Sequence, residues 1–376
     1  MSSAPIHDDA VRVMAHVGDR TPSPEHSVFW KMWFQSLIET QPELCARTTS
    51  DESDPSATHE FVSHGDVRIG CSLVVPESAP IKAAMVTLHG AGTPDALESD
   101  ARRWRGVADK GVAVLVVRVR GFPGSRTDIE GRSIGFSSDD HGWFTRGLEQ
   151  DEPNKWVVPH MVSDVCNAAR VMRNALLGRD ESGRCLTLGT DLKNAPVYLH
   201  GVSLGGGLSV IAAAQLSGRV VGEPVIERIA LRWPSMGAMG WRLANSRAGL
   251  AGVIHEALEA HPDRRELLMD RLRLCDPVVH GRRVRVPTLA LLAALDDVVP
   301  GEAAAAVYNA IEADPGRKWR MCIERGHVDG DVALTRRIAT FHRALEDFFD
   351  PDQRPIDAMH SWDSELGVRA MVRNER

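Results

Sequence analysis

The chain has 376 residues, 43% of them hydrophobic and 25% charged, with a formal net charge of −7. A chain of this length can bury a large core, as one α/β domain with insertions or as two or three smaller domains. Basic residues are interleaved with acids, as in "DRRELLMDRLRL", which excludes a dedicated nucleic-acid surface, and no apolar run reaches the roughly 18–20 residues that span a bilayer.

The opening "MSSAPIHDDAVRV" lacks the basic and apolar segments of a secretory signal. The six cysteines (Cys45, Cys71, Cys166, Cys185, Cys275 and Cys322) form no CxxC pair, which argues against a zinc site or a disulfide framework. Reduced thiols used as small apolar side chains suggest a cytoplasmic protein. In chain order, residues 1–50 read as helical, with Val28, Phe29, Trp33, Leu37 and Ile38 on one stripe. Residues 51–58, "DESDPSAT", read as a linker that closes an N-terminal segment, 1–58. "HEFVSHGDVRIGCSLVVPE" then alternates apolar and polar residues around a Gly-Asp turn, a hairpin signal.

From Ala83 the pattern changes to short runs rich in Val, Leu and Ile: "AAMVTLHG", "VAVLVVRVRG", "PVYLHG", "IERIALRW", "VPTLALLAALD" and "KWRMCIERGH". Helical stretches such as 158–177 separate several of them. This alternation predicts a mostly parallel sheet with helices on both faces, over a domain of residues 59–350. Residues 236–282 carry no strand signal and read as a helical cap inserted between two strands; the tail, 351–376, is polar and shows no assignable element.

"HGVSLGGGLSV", from His200 to Val210, crowds four glycines around one serine between two apolar runs. With a strand before it and a helix after it, Gly201-Val202-Ser203-Leu204-Gly205 fits G-x-S-x-G, the nucleophile elbow of α/β hydrolases. Glycines are needed there because strand and helix nearly touch, and the helix N-terminus points its amides at the site. A phosphate-binding glycine turn fits less well, since no Lys follows as in a P-loop. A serine needs a base and the base an orienting acid, in the chain order Ser, Asp or Glu, His for this fold. Past the last two strands lie Asp296-Asp297 and His327, at strand C-termini where such sheets keep their sites. Asp296 follows its strand directly, and Asp297 competes with it. Asp329 and Asp331 are too close to His327 in sequence. His200 reads as structural, and His255, His261, His280 and His342 as surface or packing residues. For an oxyanion, the amide of Leu204 is one donor. The second is expected from "LHGAG", His89-Gly90-Ala91-Gly92, with Ala91 the choice. Arg118 and Arg120 close a strand, where structural salt bridges are expected ahead of pairing with an acidic substrate.

These residues resemble the acetyl xylan esterases and cephalosporin C deacetylases of the α/β-hydrolase superfamily, over most of the chain. "SPEHSVFWKMWFQSL" looks like that family's first helix and "FVSHGDVRIGCSLVVPE" like its hairpin. "LHGAG", "VRGFPGS", "GVSLGGGLSVIAAA", "LDDVVPGEAAAAVYNAI" and "ERGHVDG" match its oxyanion loop, Arg-Gly-Gln-Gly region, elbow, acid loop and histidine segment. The resemblance implies Ser203, Asp296 and His327 as the catalytic triad and so resolves the Asp pair. It also implies a small ester substrate and a possible homo-oligomer, with pocket candidates at His89, Gly90, Gly92 and Phe122; the triad chemistry calls for no cofactor or metal, and charge distribution and apolar run length predict no nucleic-acid or membrane partner. Three positions differ from the family pattern: Leu204 for Gln, Ala91 for Tyr and Phe122 for Gln. They predict a site shifted from acetylated sugars toward more apolar or slightly larger esters, with acetyl still accepted. The expected activity is therefore a serine esterase for short-acyl esters. The alternatives are a thioesterase, acyltransferase or carbon–carbon hydrolase on the same triad, and a non-catalytic binding protein on the same scaffold.

Overall fold

The computed structural model describes residues 4–39, 41–47, 56–92, 101–178, 188, 196–217, 225–327 and 332–367. Nine strands form one sheet: β1 (Cys45–Ala46), β2 (His59–Ser63), β3 (Val67–Val74), β4 (Ala83–Leu88), β5 (Val112–Val117), β6 (Val197–Val202), β7 (Ile226–Arg232), β8 (Thr288–Ala293) and β9 (Lys318–Ile323). Their spatial order is β1-β2-β3-β5-β4-β6-β7-β8-β9. The first three strands and the β3–β5 junction are antiparallel, and the remainder is parallel. Every residue of β4, β5, β6 and β8 is buried, as expected of strands covered on both faces. The hairpin turns at Gly65-Asp66, both in left-handed backbone, as the Gly-Asp signal predicts.

Helices α1 (Ala4–Met14) and α2 (His26–Ile38) precede the sheet, and α3 (Arg105–Asp109), α4 (Val157–Leu176) and α5 (Leu204–Leu216) connect its centre. Between β7 and β8 come α6 (Met239–Asn245), α7 (Leu250–Ala260), α8 (Arg265–Leu274) and α9 (Pro277–Gly281), the predicted all-helical insertion. The chain ends in α10 (Gly301–Ala310), α11 (Val332–Phe348) and α12 (Pro355–His360). Helix α5 is buried along its whole length, which explains why "LGGGLSVIAAAQL" is apolar all round.

Two expectations for the N-terminal segment need correction. Cys45–Ala46 is not helical; it pairs with β2 and forms the sheet edge. The buried face of α2 is His26, Trp30, Trp33 and Leu37, while Val28 is 63% exposed. Polar handles on apolar rings set that face. The Trp30 indole donates to the Leu274 carbonyl at 2.7 Å and the Trp33 indole to Ser163 Oγ at 2.8 Å. His26 Nε2 lies 3.3 Å from His280 Nε2, and burial pushes the two imidazoles down to about 4 and about 3. The tail, which the sequence left unassigned, carries α12 and returns to the sheet through a parallel bridge between Gly367 and Met321.

The helical insertion is fastened at several points. Arg271 is buried and donates to the carbonyls of Leu148, Gln150 and Asp151 in the long segment after β5. Asp276 is buried at the start of α9 and accepts from the amides of Val278 (2.9 Å), Ala238 (3.1 Å) and Met239 (2.9 Å). One carboxylate thus satisfies the N-termini of α6 and α9 together. Asp276→Ala leaves those amides without acceptors and is expected to destabilise the fold by about 2–4 kcal/mol. Urea unfolding checks this, and a loss below about 0.5 kcal/mol, the scale of an ordinary surface change, would remove Asp276 from that role.

Candidate active site

Strand β6 and helix α5 meet at Ser203, whose backbone sits at φ 52°, ψ −112°. A non-glycine residue there is strained by about 1–3 kcal/mol, and such strain collects at functional sites. The turn is tight enough to demand its glycines. A Cβ on Gly201 would fall 2.2 Å from the Gly205 carbonyl oxygen, and one on Gly205 would fall 2.6 Å from that of His89. Neighbouring loops hold the elbow: the Ser203 amide donates to the Arg232 carbonyl at 2.8 Å, and the Ser235 amide donates to the Ser203 carbonyl at 2.9 Å.

His327, at φ 68°, follows β9, and its Nδ1 lies 2.5 Å from Asp296 Oδ2. Asp296 faces inward because its Oδ1 accepts from the amides of Val298 (2.9 Å) and Val299 (2.8 Å). Its side chain is 2% exposed, whereas Asp297 lies on the surface. The geometry therefore pairs the histidine with Asp296 and not with Asp297; Asp329 and Asp331 lie outside the described residues. A carboxylate on Nδ1 fixes the tautomer with its proton on that atom. The opposite nitrogen, Nε2, is buried and has no hydrogen-bond partner among the described residues. The Trp233 ring packs on His327 at 4.8 Å between centroids, and Trp233 directly follows the residue that accepts from the Ser203 amide. Tryptophan, histidine and carboxylate thus form one cluster at the C-terminal edge of the sheet, and the serine elbow is bonded to the residue that precedes that tryptophan. Apart from Asp66 in the hairpin, the described non-glycine residues with left-handed backbone are Ser203, Trp233, Met236, Ala238 and His327.

The loop after β4 runs over the serine: a Cβ on Gly90 would lie 3.3 Å from Ser203 Cβ. Ala91 follows on that loop, half-buried, and Gly92 is open, with no atom within 4 Å of where its Cβ would be. Leu204 is the first residue of α5, where an amide has no carbonyl one turn back in its own helix. The side chains of Leu204 and Phe122 correct the expected apolar wall. They are 0% and 1% exposed and pack into the core, so neither lines an open pocket. Phe122 instead sits between His89, 4.4 Å away, and Trp143, 5.4 Å away. His89 is itself buried, with Nδ1 at 2.7 Å from the Gly90 carbonyl and Nε2 accepting from the Val119 amide at 3.3 Å. It braces the loop from beneath.

The other candidates are structural. His200 is buried against Thr87 Oγ1 at 2.9 Å, and burial pushes its imidazole well below the usual range. His255 bonds the Leu243 carbonyl at 3.0 Å, His280 pairs with His26, and His342 packs on Trp104. His261 is half-buried in the helical insertion. Arg118 bonds Ser72, Ser56 and the Val116 carbonyl, and Arg120 forms a buried fork with Asp164, Nη2 to Oδ1 at 2.6 Å. Sequence reasoning missed Trp233, Ser235 and Arg242. For Trp233 and Ser235 the only signal is position just past a strand end, and Arg242, inside α6, carries none. No group of three or more metal-binding side chains occurs among the described residues, and no described helix is long and apolar enough to cross a membrane.

A mostly parallel sheet with a serine elbow after its central strand, and acid and histidine loops after later strands, defines an α/β hydrolase. The acetyl xylan esterase family model matches residues 13–345, and the chain belongs to that family; it is a carboxylic ester hydrolase. No curated protein matches the sequence. Among solved structures, acetyl xylan esterase 1 from Thermoanaerobacterium sp. JW/SL YS485 superposes with a TM-score of 0.65 at 19% identity, covering 89% of this chain and 98% of that one. The acetyl xylan esterase from Paenibacillus sp. R4 gives 0.64 at 17% identity, with 92% and 99% covered. At these identities the likeness is one of fold.

Proposed function

We propose that the chain hydrolyses small, short-acyl esters through Ser203, His327 and Asp296. The observation that carries this reading is the short contact between His327 Nδ1 and Asp296 Oδ2 beside a serine in a strained strand–helix turn. In the reaction, Ser203 Oγ attacks the ester carbonyl while His327 Nε2 takes its proton. Asp296 holds the tautomer that leaves Nε2 basic and stabilises the imidazolium that forms. The amides of Leu204 and Ala91 receive the negative charge on the carbonyl oxygen. His327 then protonates the departing alcohol. Water, activated by the same imidazole, attacks the acyl-enzyme, releases the acid and restores the serine. A cytoplasmic location belongs to the same reading and is supported by the buried thiols of Cys71, Cys275 and Cys322, used as small apolar side chains.

The acetyl preference is supported by family membership. Where the chain departs from the family at an accessible position, Ala91 leaves space that a tyrosine would fill. Each methylene that fits adds about 0.8 kcal/mol of burial, and one that does not costs about 1–3 kcal/mol of strain. The expected result is a kcat/KM that is similar for p-nitrophenyl acetate and butyrate and falls steeply by octanoate. An acetylated xylo-oligosaccharide measured in the same series tests the sugar preference. A preference for octanoate over both shorter esters would refute the short-acyl reading.

A further inference from the structure

Arg242 is an arginine with no exposure, in a cap helix, and the triad proposed above does not use it. Burying a guanidinium costs several kcal/mol unless acceptors surround it. Its acceptors here are two carbonyls of the cap and acid loop and one hydroxyl. Nη1 donates to Ser235 Oγ at 3.1 Å, and Nη2 donates to the carbonyls of Val298 at 2.9 Å and Ala248 at 3.3 Å. No carboxylate among the described residues forms an ion pair with it. The negative charge that acts on it is that of Asp296, which opposes the lowering of its pKa to about 10 by burial.

The partners of this fork are the immediate supports of the triad. Ser235 gives its amide to the Ser203 carbonyl, and Val298 gives its amide to Asp296 Oδ1. One planar side chain therefore spans from the loop that holds the nucleophile to the loop that holds the acid. A structural cation would serve as well with any two carbonyls of the cap. This one joins the two segments whose separation sets the distance from Ser203 to the Asp296–His327 pair.

We infer that Arg242 is a positioning residue: its guanidinium fixes the spacing between the nucleophile elbow and the acid loop. The inference rests on the triad reading. It predicts that loosening the fork slows chemistry at Ser203 more than it weakens substrate binding, because a misplacement of about 1 Å costs on the order of 10²-fold.

The test uses the full-length protein, an activity-based fluorophosphonate that labels the serine, and active-site titration, so that rates are counted per folded site. Arg242→Met keeps the apolar stem and removes the fork. It is expected to lower kcat per titrated site and the labelling rate constant by about 10–10²-fold, with KM changed less than about threefold. Arg242→Lys restores the charge without the fork and is expected to recover part of the loss. Labelling of Arg242→Met at the parent's rate, with only a lower melting temperature, would overturn the inference and leave a purely structural residue. Should Arg242→Met fail to fold, Ser235→Ala removes the nucleophile-side acceptor alone and is expected to slow labelling about 3–10-fold. An unchanged rate in that variant also overturns the inference. Failure of the triad reading looks different: Ser203→Ala would then be labelled at the parent's rate, and the role of Arg242 falls with it.

Discussion

Ser203→Ala is expected to lose on the order of 10⁶-fold in kcat, the scale seen when a triad serine is removed, while keeping its fold. The structure explains why the two effects separate. Although Ser203 occupies the N-cap position of α5, its hydroxyl makes no capping hydrogen bond. The backbone bonds that hold the elbow come from its amide and carbonyl, which alanine retains. Alanine also tolerates the backbone angle no worse than serine does. The melting temperature should therefore shift by no more than a few degrees, as for a change of less than about 1 kcal/mol. A turnover assay beside a thermal melt decides the matter. Activity retained within tenfold would remove Ser203 as the nucleophile, and a collapsed melt would show that the hydroxyl is structural.

What the sequence makes legible here is what depends on neighbours in the chain. The central strands announce themselves as short apolar runs because they are buried on both faces, and the elbow announces itself because Gly201 and Gly205 must nearly touch. Choosing Asp296 over Asp297 from the residues alone was a different problem. The answer depends on Oδ1 capping Val298 and Val299, a local turn that rotates one carboxylate inward and its neighbour out. Pattern missed more where the partner is distant. The face of α2 is set by Trp30 and Trp33 finding acceptors at Leu274 and Ser163, so the buried stripe is not the most apolar one. Strand β1 exists only because β2 offers it an edge. Phe122 looked like a pocket wall because it replaces a polar residue of the family pattern, yet its ring supports His89 from below. Arg242 illustrates the limit most clearly. Nothing in "GWRLANS" reveals a cation that reaches Ser235 and Val298, since the meeting point forms only when two loops close at the sheet edge.

Asp296→Asn should cost about 10⁴-fold in kcat/KM, and the reason lies in which atom faces which. The carboxylate has two separate tasks. Oδ1 accepts from the amides of Val298 and Val299, and Oδ2 meets His327 Nδ1. An asparagine can satisfy only one arrangement of those partners. Its carbonyl oxygen must remain on the two loop amides, because turning its NH₂ toward them would set donor against donor in a buried place. The NH₂ then faces His327 Nδ1 and makes that nitrogen an acceptor. The ring proton moves to Nε2, the atom that has to take the serine proton, and the base is in the wrong tautomer. The loop caps survive, so stability should change little, in contrast to Asp296→Ala, which also strands the two amides. The phosphonate labelling rate should fall in parallel with kcat/KM, because both report the activation of Ser203. If Asp296→Asn keeps activity within tenfold of the parent, the carboxylate only builds the loop, and the orienting role belongs to another group.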